Sequence, residues 1–326
     1  MIRVSSIFSN GLVVMVTFLL GSCSNERKPM EFGSLLWVDK CMSDSVVRRA
    51  VKECFDNTSM IVCQISWAPN DTTFLNNVYW YRNLANEGNK AFMLNLDWQN
   101  LNRTGSSGNW NFGKDSADLI FFNDVLQLVD TYKPNYLNLG VEINYYALTN
   151  PDGFKSFVGT FNKLKTTLKS KHKEMQIGVT FQLELLFGNH SGWRRTKCTE
   201  PLTCLQENLD FIGISTYPDV FKSNSELNIS TDYLDSLDSL SPKPIGITET
   251  GISSRVFSNS VRIAYVRSIL NKAREKEFDF FVWGSLIDCQ PKGDWRSAIG
   301  LMDNYGNHKA EFEVWSSIGK HLLNKN

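Results

Sequence analysis

From residue 32 onward, short runs rich in β-branched and aromatic residues alternate with stretches whose apolar residues recur every three or four positions. That is the pattern of parallel strands joined by crossover helices. Eight strand-like runs are legible, beginning near Gly33, Ile61, Phe92, Leu137, Ile177, Phe211, Ile245 and Phe280. Between them lie amphipathic stretches such as Phe154, Phe157, Val158, Phe161, Leu164 and Leu168, whose spacing puts them on one helix face. A closing helix is expected from about residue 310 to 323. Eight such units in residues 31–326 match a single α/β domain, a (β/α)8 barrel of the TIM type, in number and length. No break in composition marks a second domain.

Strand parity sharpens the expectation, because alternate side chains face the barrel interior and the helix layer. In the fourth run Leu137, Leu139, Val141 and Ile143 share one face, and Tyr136, Asn138, Gly140 and Glu142 the other. The apolar set belongs against helices, so Glu142 is expected inside, at the C-terminal end of its strand. The fifth run repeats the rule, with Gln176, Gly178, Thr180, Gln182 and Glu184 inward, and the third places Asn95 and Asp97 inward. Catalytic faces of such barrels lie at the C-terminal strand ends. Trp37, Trp67 and Trp98 end the first three runs, where flat rings could stack on sugars, although parity on the third run turns Trp98 outward.

The N-terminus reads as an address. Arg3 precedes an apolar run at 11–20, and Leu20-Gly21-Ser22-Cys23 resembles a bacterial lipobox. Residues 1–22 are expected to be a lipoprotein signal peptide and 23–30 a polar tether, with Cys23 lipidated and the protein extracytoplasmic on a bacterial membrane. An ordinary signal peptide is the alternative reading, since its peptidase also favours small residues. Of the six remaining cysteines, Cys198 and Cys204 stand six apart in one loop and form the best candidate bridge. Parity suggests two more pairings, Cys41 with Cys289 and Cys54 with Cys63; buried unpaired thiols are the alternative. The four histidines lack metal-ligand spacing, so no metal or other cofactor is expected. With 34 Lys+Arg against 34 Asp+Glu and no block of like charges, no nucleic-acid partner is expected either.

A second carboxylate, Glu249, ends the seventh run in Pro-Ile-Gly-Ile-Thr-Glu-Thr-Gly (244 to 251), although Ile245 and Ile247 share its face. Two carboxyl groups at one rim are the machinery for breaking a glycosidic bond: one protonates the leaving oxygen and the other attacks the anomeric carbon.

With Leu-Gly-Val-Glu-Ile-Asn (139 to 144), Phe-Ile-Gly-Ile-Ser-Thr-Tyr-Pro (211 to 218), Ile-Thr-Glu-Thr-Gly (247 to 251), Phe-Val-Trp-Gly (281 to 284) and Gly-Leu-Met-Asp-Asn-Tyr-Gly-Asn (300 to 307), the chain resembles the clan of retaining (β/α)8 glycoside hydrolases. Its nearest look is to the family 53 endo-β-1,4-galactanases that act on arabinogalactan. The resemblance implies a polysaccharide or oligosaccharide substrate, with Glu142 as acid/base and Glu249 as nucleophile. It also implies that Tyr217 hydrogen-bonds the nucleophile and that Trp283 floors the sugar site. The clan carries Asn immediately before the acid/base, whereas Val141 stands here; Asn144 is the candidate replacement for its contact with the sugar 2-hydroxyl. Asp97 and Glu184 are candidate sugar hydrogen-bonders or members of an internal salt-bridge network, and Gln182 is a candidate sugar-binding residue. A surface glycan-binding lipoprotein without turnover is the reading from another class.

Overall fold

The computed structural model describes residues 29–38, 42–108, 110–114, 116–192, 196–218, 231–239, 241–288 and 295–324. Eight parallel strands close on themselves in sequence order, β1 pairing β8. They are β1 (Glu31–Leu35), β2 (Met60–Ser66), β3 (Ala91–Asp97), β4 (Tyr136–Asn138), β5 (Gln176–Gln182), β6 (Phe211–Thr216), β7 (Ile245–Thr250) and β8 (Phe280–Trp283). Each begins within two residues of its expected start. The helices are α1 (Asp44–Asn57), α2 (Leu75–Glu87), α3 (Ala117–Tyr132), α4 (Ile143–Thr149), α5 (Pro151–Lys171), α6 (Leu183–Leu186), α7 (Glu200–Leu205), α8 (Asn259–Glu275) and α9 (Phe312–Leu323). The chain is a (β/α)8 barrel, and among the described residues no helix is long and apolar enough to cross a membrane.

Two apolar clusters result from the alternation. The larger lies between barrel and helices, with Phe92, Leu94, Leu137, Leu139, Ile177, Val179 and Phe181 meeting Phe121, Phe157, Phe161 and Leu164. The smaller plugs the barrel at the N-terminal ends of the strands: Met60, Val62, Met93, Tyr136, Phe211, Phe280 and Val282. Its three rings meet edge to face, with centroids 6.1 Å apart for Tyr136 and Phe211, 5.3 Å for Tyr136 and Phe280, and 5.2 Å for Phe211 and Phe280. Gly178 and Gly246 make room for them, because a Cβ there would lie 2.6 Å from the Phe211 ring and 2.4 Å from that of Phe280. Above the plug a polar layer runs from Asn138 Nδ2 to Thr180 Oγ1 (2.7 Å) and on to Thr248 Oγ1 (2.9 Å), satisfying buried polar groups inside the barrel.

The cysteines depart from expectation. Cys198 and Cys204 are both free thiols. Cys198 is buried beside Tyr145 and Leu185 and donates to the Asn144 carbonyl at 3.5 Å, while Cys204 is exposed on α7, so the two point to different surroundings. Burial pushes the Cys198 thiol up to about 11. Cys54 and Cys63 are likewise free and buried, Cys54 satisfied by Thr58 Oγ1 at 3.7 Å. Cys23, Cys41, Cys289 and the expected signal peptide lie outside the described residues.

Candidate active site

The site assembles where β3, β4, β6 and β7 reach the C-terminal mouth. Asp97 is the last residue of β3 and faces inward as its parity requires. Beyond it the chain forms a small hairpin closed by the Gln99–Ser106 bridge, with the Asn100 amide donating to the Gly105 carbonyl and that of Arg103 to the Asn100 carbonyl. Arg103 adopts a left-handed φ of 57° near the hairpin tip and reaches back into the mouth. Its Nη1 lies 2.6 Å from Asp97 Oδ1 and its Nε 2.7 Å from Glu142 Oε2. The two carboxylates, against the opposing effect of burial, hold the guanidinium well above its ordinary pKa.

Regular β4 structure stops at Asn138, so Glu142 stands four residues beyond the strand, at the N-cap of α4. It too is left-handed, with φ 53° and ψ 45°, a conformation costing a non-glycine residue about 1–2 kcal/mol. Such outliers persist where surrounding contacts hold them. Here Gln99 Nε2 donates to the Val141 carbonyl at 2.6 Å and to that of Glu142 at 3.1 Å, clamping the backbone from the hairpin base. The Ser215 hydroxyl, from β6, donates to Glu142 Oε1 at 2.6 Å.

Glu249 arrives by a register shift. Along β7, Ile245, Gly246 and Ile247 oppose Ile212, Gly213 and Ile214, but Ser215 opposes Glu249, leaving Thr248 as an extra residue. The irregularity re-aims the side chain, as bulges beside active sites do. It explains how Glu249 faces the mouth although its parity matches the outward Ile247. Tyr217 hydrogen-bonds the Glu249 carboxylate. Burial and the nearby Glu142 push Glu249 up to about 7, against the pull of the Tyr217 hydrogen bond and the Arg103 charge. Ser215 thus sits between the two glutamates, paired in register with one and bonded to the other.

Several expected site residues lie elsewhere. Trp67 is fully buried outside the barrel wall, its ring edge-on to Trp110 and Phe121 and its Nε1 donating to Asp124 at 2.9 Å, so no sugar face reaches it. Trp98 is also buried among the helices, as its parity indicates. Trp283 shares the outward face of Phe281, packs near Tyr265 and donates to the Ile299 carbonyl at 2.9 Å; it does not floor the mouth. Trp37 keeps a partly exposed ring, tethered by Nε1 to the Gly284 carbonyl at 3.2 Å. It lines a cavity of about 580 Å³ with Gln64, Trp80 and Tyr81. Gln64 faces both that cavity and Asp97, 3.5 Å away.

Asn144, Gln182 and Glu184 form a buried brace behind the mouth, with no face toward a sugar. Asn144 exchanges two hydrogen bonds of 2.9 Å with the Gln182 backbone. Glu184 accepts from Gln182 Nε2, from Thr216 Oγ1 at 2.6 Å and from the Tyr217 amide at 3.1 Å. Burial pushes Glu184 up to about 7 despite these donors. Its place is to hold Tyr217, which in turn touches Glu249. Arg103, Gln99 and Ser215 were absent from the sequence expectations. Inward parity on β6 marks Ser215, whereas the hairpin that aims Arg103 has no period to read. Among the described residues no cluster of three or more His, Cys, Asp or Glu side chains suits a metal ion.

No protein-family model matches the chain, and no curated protein matches it in sequence. Solved structures do resemble it. An exo-β-1,4-mannosidase from Opitutaceae bacterium strain TAV5 superposes with a TM-score of 0.68 at 15% identity over 91% of this chain, which spans 60% of that protein's length. A β-glucosidase from Exiguobacterium marinum gives 0.62 at 12% identity, covering 92% of this chain and 99% of the other. A family 17 β-1,3-glucanosyltransferase from Rhizomucor miehei gives 0.58 at 14%, covering 86% and 95%. At such identities the likeness is one of fold, the (β/α)8 barrel that these carbohydrate-active proteins share with this chain.

Proposed function

We propose that the protein is a retaining glycoside hydrolase acting on a β-linked polysaccharide, with Glu249 as nucleophile and Glu142 as acid/base. The observation that carries this reading is the convergence of the two glutamates on opposite sides of Ser215, with Tyr217 bonded to Glu249. In the first half-reaction Glu249 attacks the anomeric carbon and Glu142 gives its proton to the departing oxygen; in the second Glu142 takes a proton from water, which releases the sugar. The charge on Glu142 raises the affinity of Glu249 for a proton, so loss of that charge favours the anion on Glu249 that attack requires.

The resemblance of the motifs to endo-galactanases makes β-1,4-galactan or arabinogalactan the first substrates to try. The solved neighbours, whose names specify mannoside, glucoside and β-1,3-glucan chemistry, extend the panel to β-mannan and β-glucan. An extracytoplasmic enzyme tethered by a lipidated Cys23 suits a polymer too large to enter a cell. The test is release of reducing ends by a soluble form lacking residues 1–23. Glu142→Gln should lower turnover by roughly 10²–10⁴-fold, the usual worth of general acid–base catalysis, and Glu249→Gln by at least as much. Undiminished turnover in Glu249→Gln would overturn the assignment. Retention of the parent on polysaccharide gels without new reducing ends would make the protein a glycan binder.

A further inference from the structure

Arg103 has no part in the double displacement, yet it makes two short ion pairs in the mouth, with Asp97 and with Glu142. An acid catalyst must carry its proton on an oxygen that can reach the leaving group. On Glu142 each oxygen already faces a donor: Oε2 the Arg103 Nε–H at 2.7 Å, Oε1 the Ser215 hydroxyl at 2.6 Å. Guanidinium is a donor only, so the lone pair of Oε2 at which its Nε–H points cannot carry a proton, and the cation beside it favours the ionised carboxylate. We infer that Arg103 is a latch on the proton donor: seated on Glu142 it blocks protonation of a glycosidic oxygen, and a bound β-linked glycan must turn the guanidinium onto Asp97 alone before the bond breaks. This rests on the proposed function, because it takes Glu142 as the donor.

Two further observations point the same way. The second seat is already built: Asp97 Oδ1 holds Nη1 at 2.6 Å, so the Nε contact can break while the Nη1 contact persists, and the charge stays paired without leaving the mouth. No covalent bond changes in the movement. The hairpin is also anchored at its base and open to solvent along part of its turn. Gln99 ties the base to the Val141 and Glu142 carbonyls, whereas Leu101, two residues before Arg103, is 80% exposed. Among the described residues, the titratable and charged groups around Glu142 are Asp97 from the end of β3, Arg103 from the hairpin, Tyr217 beyond β6, Glu249 on β7, and His190 beyond α6, whose ring feels the Glu142 charge. Burial holds His190 below its usual pKa, which leaves Arg103 as the standing cation among these described groups.

The experiment measures kcat and KM against pH for the soluble form lacking residues 1–23 on β-1,4-galactan, β-mannan and β-1,3-glucan, beside Arg103→Gln, Arg103→Lys and Asp97→Asn. A charge-assisted hydrogen bond is lost in Arg103→Gln, so kcat should rise roughly tenfold or more, with its alkaline limb moved to higher pH. Arg103→Lys, whose ammonium serves one carboxylate at a time, should fall between parent and Arg103→Gln; it decides the matter where thermal melting shows the glutamine variant unfolded. Asp97→Asn removes the second seat and should lower kcat. A merely structural ion-pair network would lose activity in all three variants with an unmoved pH profile, and that result overturns the latch. If the parent turns over and Arg103→Gln only raises KM, Arg103 binds sugar and the latch again fails, with the glycosidase reading intact. Absence of turnover in parent and all variants alike sinks both readings.

Discussion

The two ends of the barrel interior are built by the same strands and behave as different materials. Met93 and Asp97 share the inward face of β3, four residues apart, roughly 13 Å along a strand. At the lower position the chain contributes to an apolar plug, and at the upper one to an ion-pair network. Strand β6 repeats the contrast with Phe211 below and Ser215 above, as do β4 and its extension with Tyr136 and Glu142. The plug gains its stability from close packing, which tolerates no missing volume. The mouth shields Asp97, Glu142 and Glu249 from much of the solvent, and the brace behind it buries Glu184, at a cost offset by specific donors. Alternation therefore tells which residues face inward, while the kind of residue tells how far up the barrel they stand.

The sharpest break in this contrast is a cavity in the plug. Phe211 touches Tyr136, Phe280 and the face of Gly178, and it is fully buried. Phe211→Ala should cost about 3–5 kcal/mol in stability. The loss should be the same at pH 5 and pH 8, because no titratable group of the mouth touches that ring. Denaturant unfolding at both values checks this; a pH-dependent loss would mean that plug and mouth are not separable.

The buried brace behind the mouth should show the opposite signature. Glu184 rises from an ordinary value of 4.5 to about 7 because burial outweighs its donors. Between those values the folded protein binds more protons than the unfolded chain, so stability is highest below the window and falls as pH rises through it. The full fall corresponds to about 3 kcal/mol for this one group. Glu184→Gln keeps an acceptor for Thr216 Oγ1 and the Tyr217 amide, and it should flatten that part of the slope. A slope unchanged by the substitution would assign the pH dependence to Glu249 instead.

Much of this was legible from sequence, for a physical reason in each case. Buried strands impose a period of two, so Asp97, Tyr136 and the outward Trp98 are placed by the sequence alone, whereas Glu142, beyond the end of β4, is aimed by its left-handed backbone. The same rule applied to Cys63 and Ile65 puts Trp67 outside, and Phe281 puts Trp283 outside; position at a strand end had suggested the opposite for Trp67, and the family resemblance for Trp283. Glu249 defeats the rule because the extra Thr248 resets the face, and a register shift leaves no mark in composition. Arg103 was illegible because a hairpin has no repeating face, and its direction depends on the hydrogen bonds that close it. Disulfides resisted for another reason: the spacing of Cys198 and Cys204 permits a bridge, but burial of one thiol beside Tyr145 and exposure of the other on α7 separate them.

The smallest effect separates the mouth from the helix layer around it. Trp67 sits against Trp110 and Phe121, with ring centroids 5.0 and 4.8 Å away, and its indole N–H satisfies Asp124. Trp67→Phe keeps most of the apolar contact and removes the donor, which should lower stability by about 1–2 kcal/mol. Affinity for glycan and KM should not move, because the ring shares no surface with the mouth. Trp37→Phe is the matched control: its ring is partly open on the cavity that meets Gln64, and Gln64 reaches Asp97. If Trp67→Phe weakens glycan binding as much as Trp37→Phe does, the wall between the helix layer and the mouth is not the boundary that strand alternation draws.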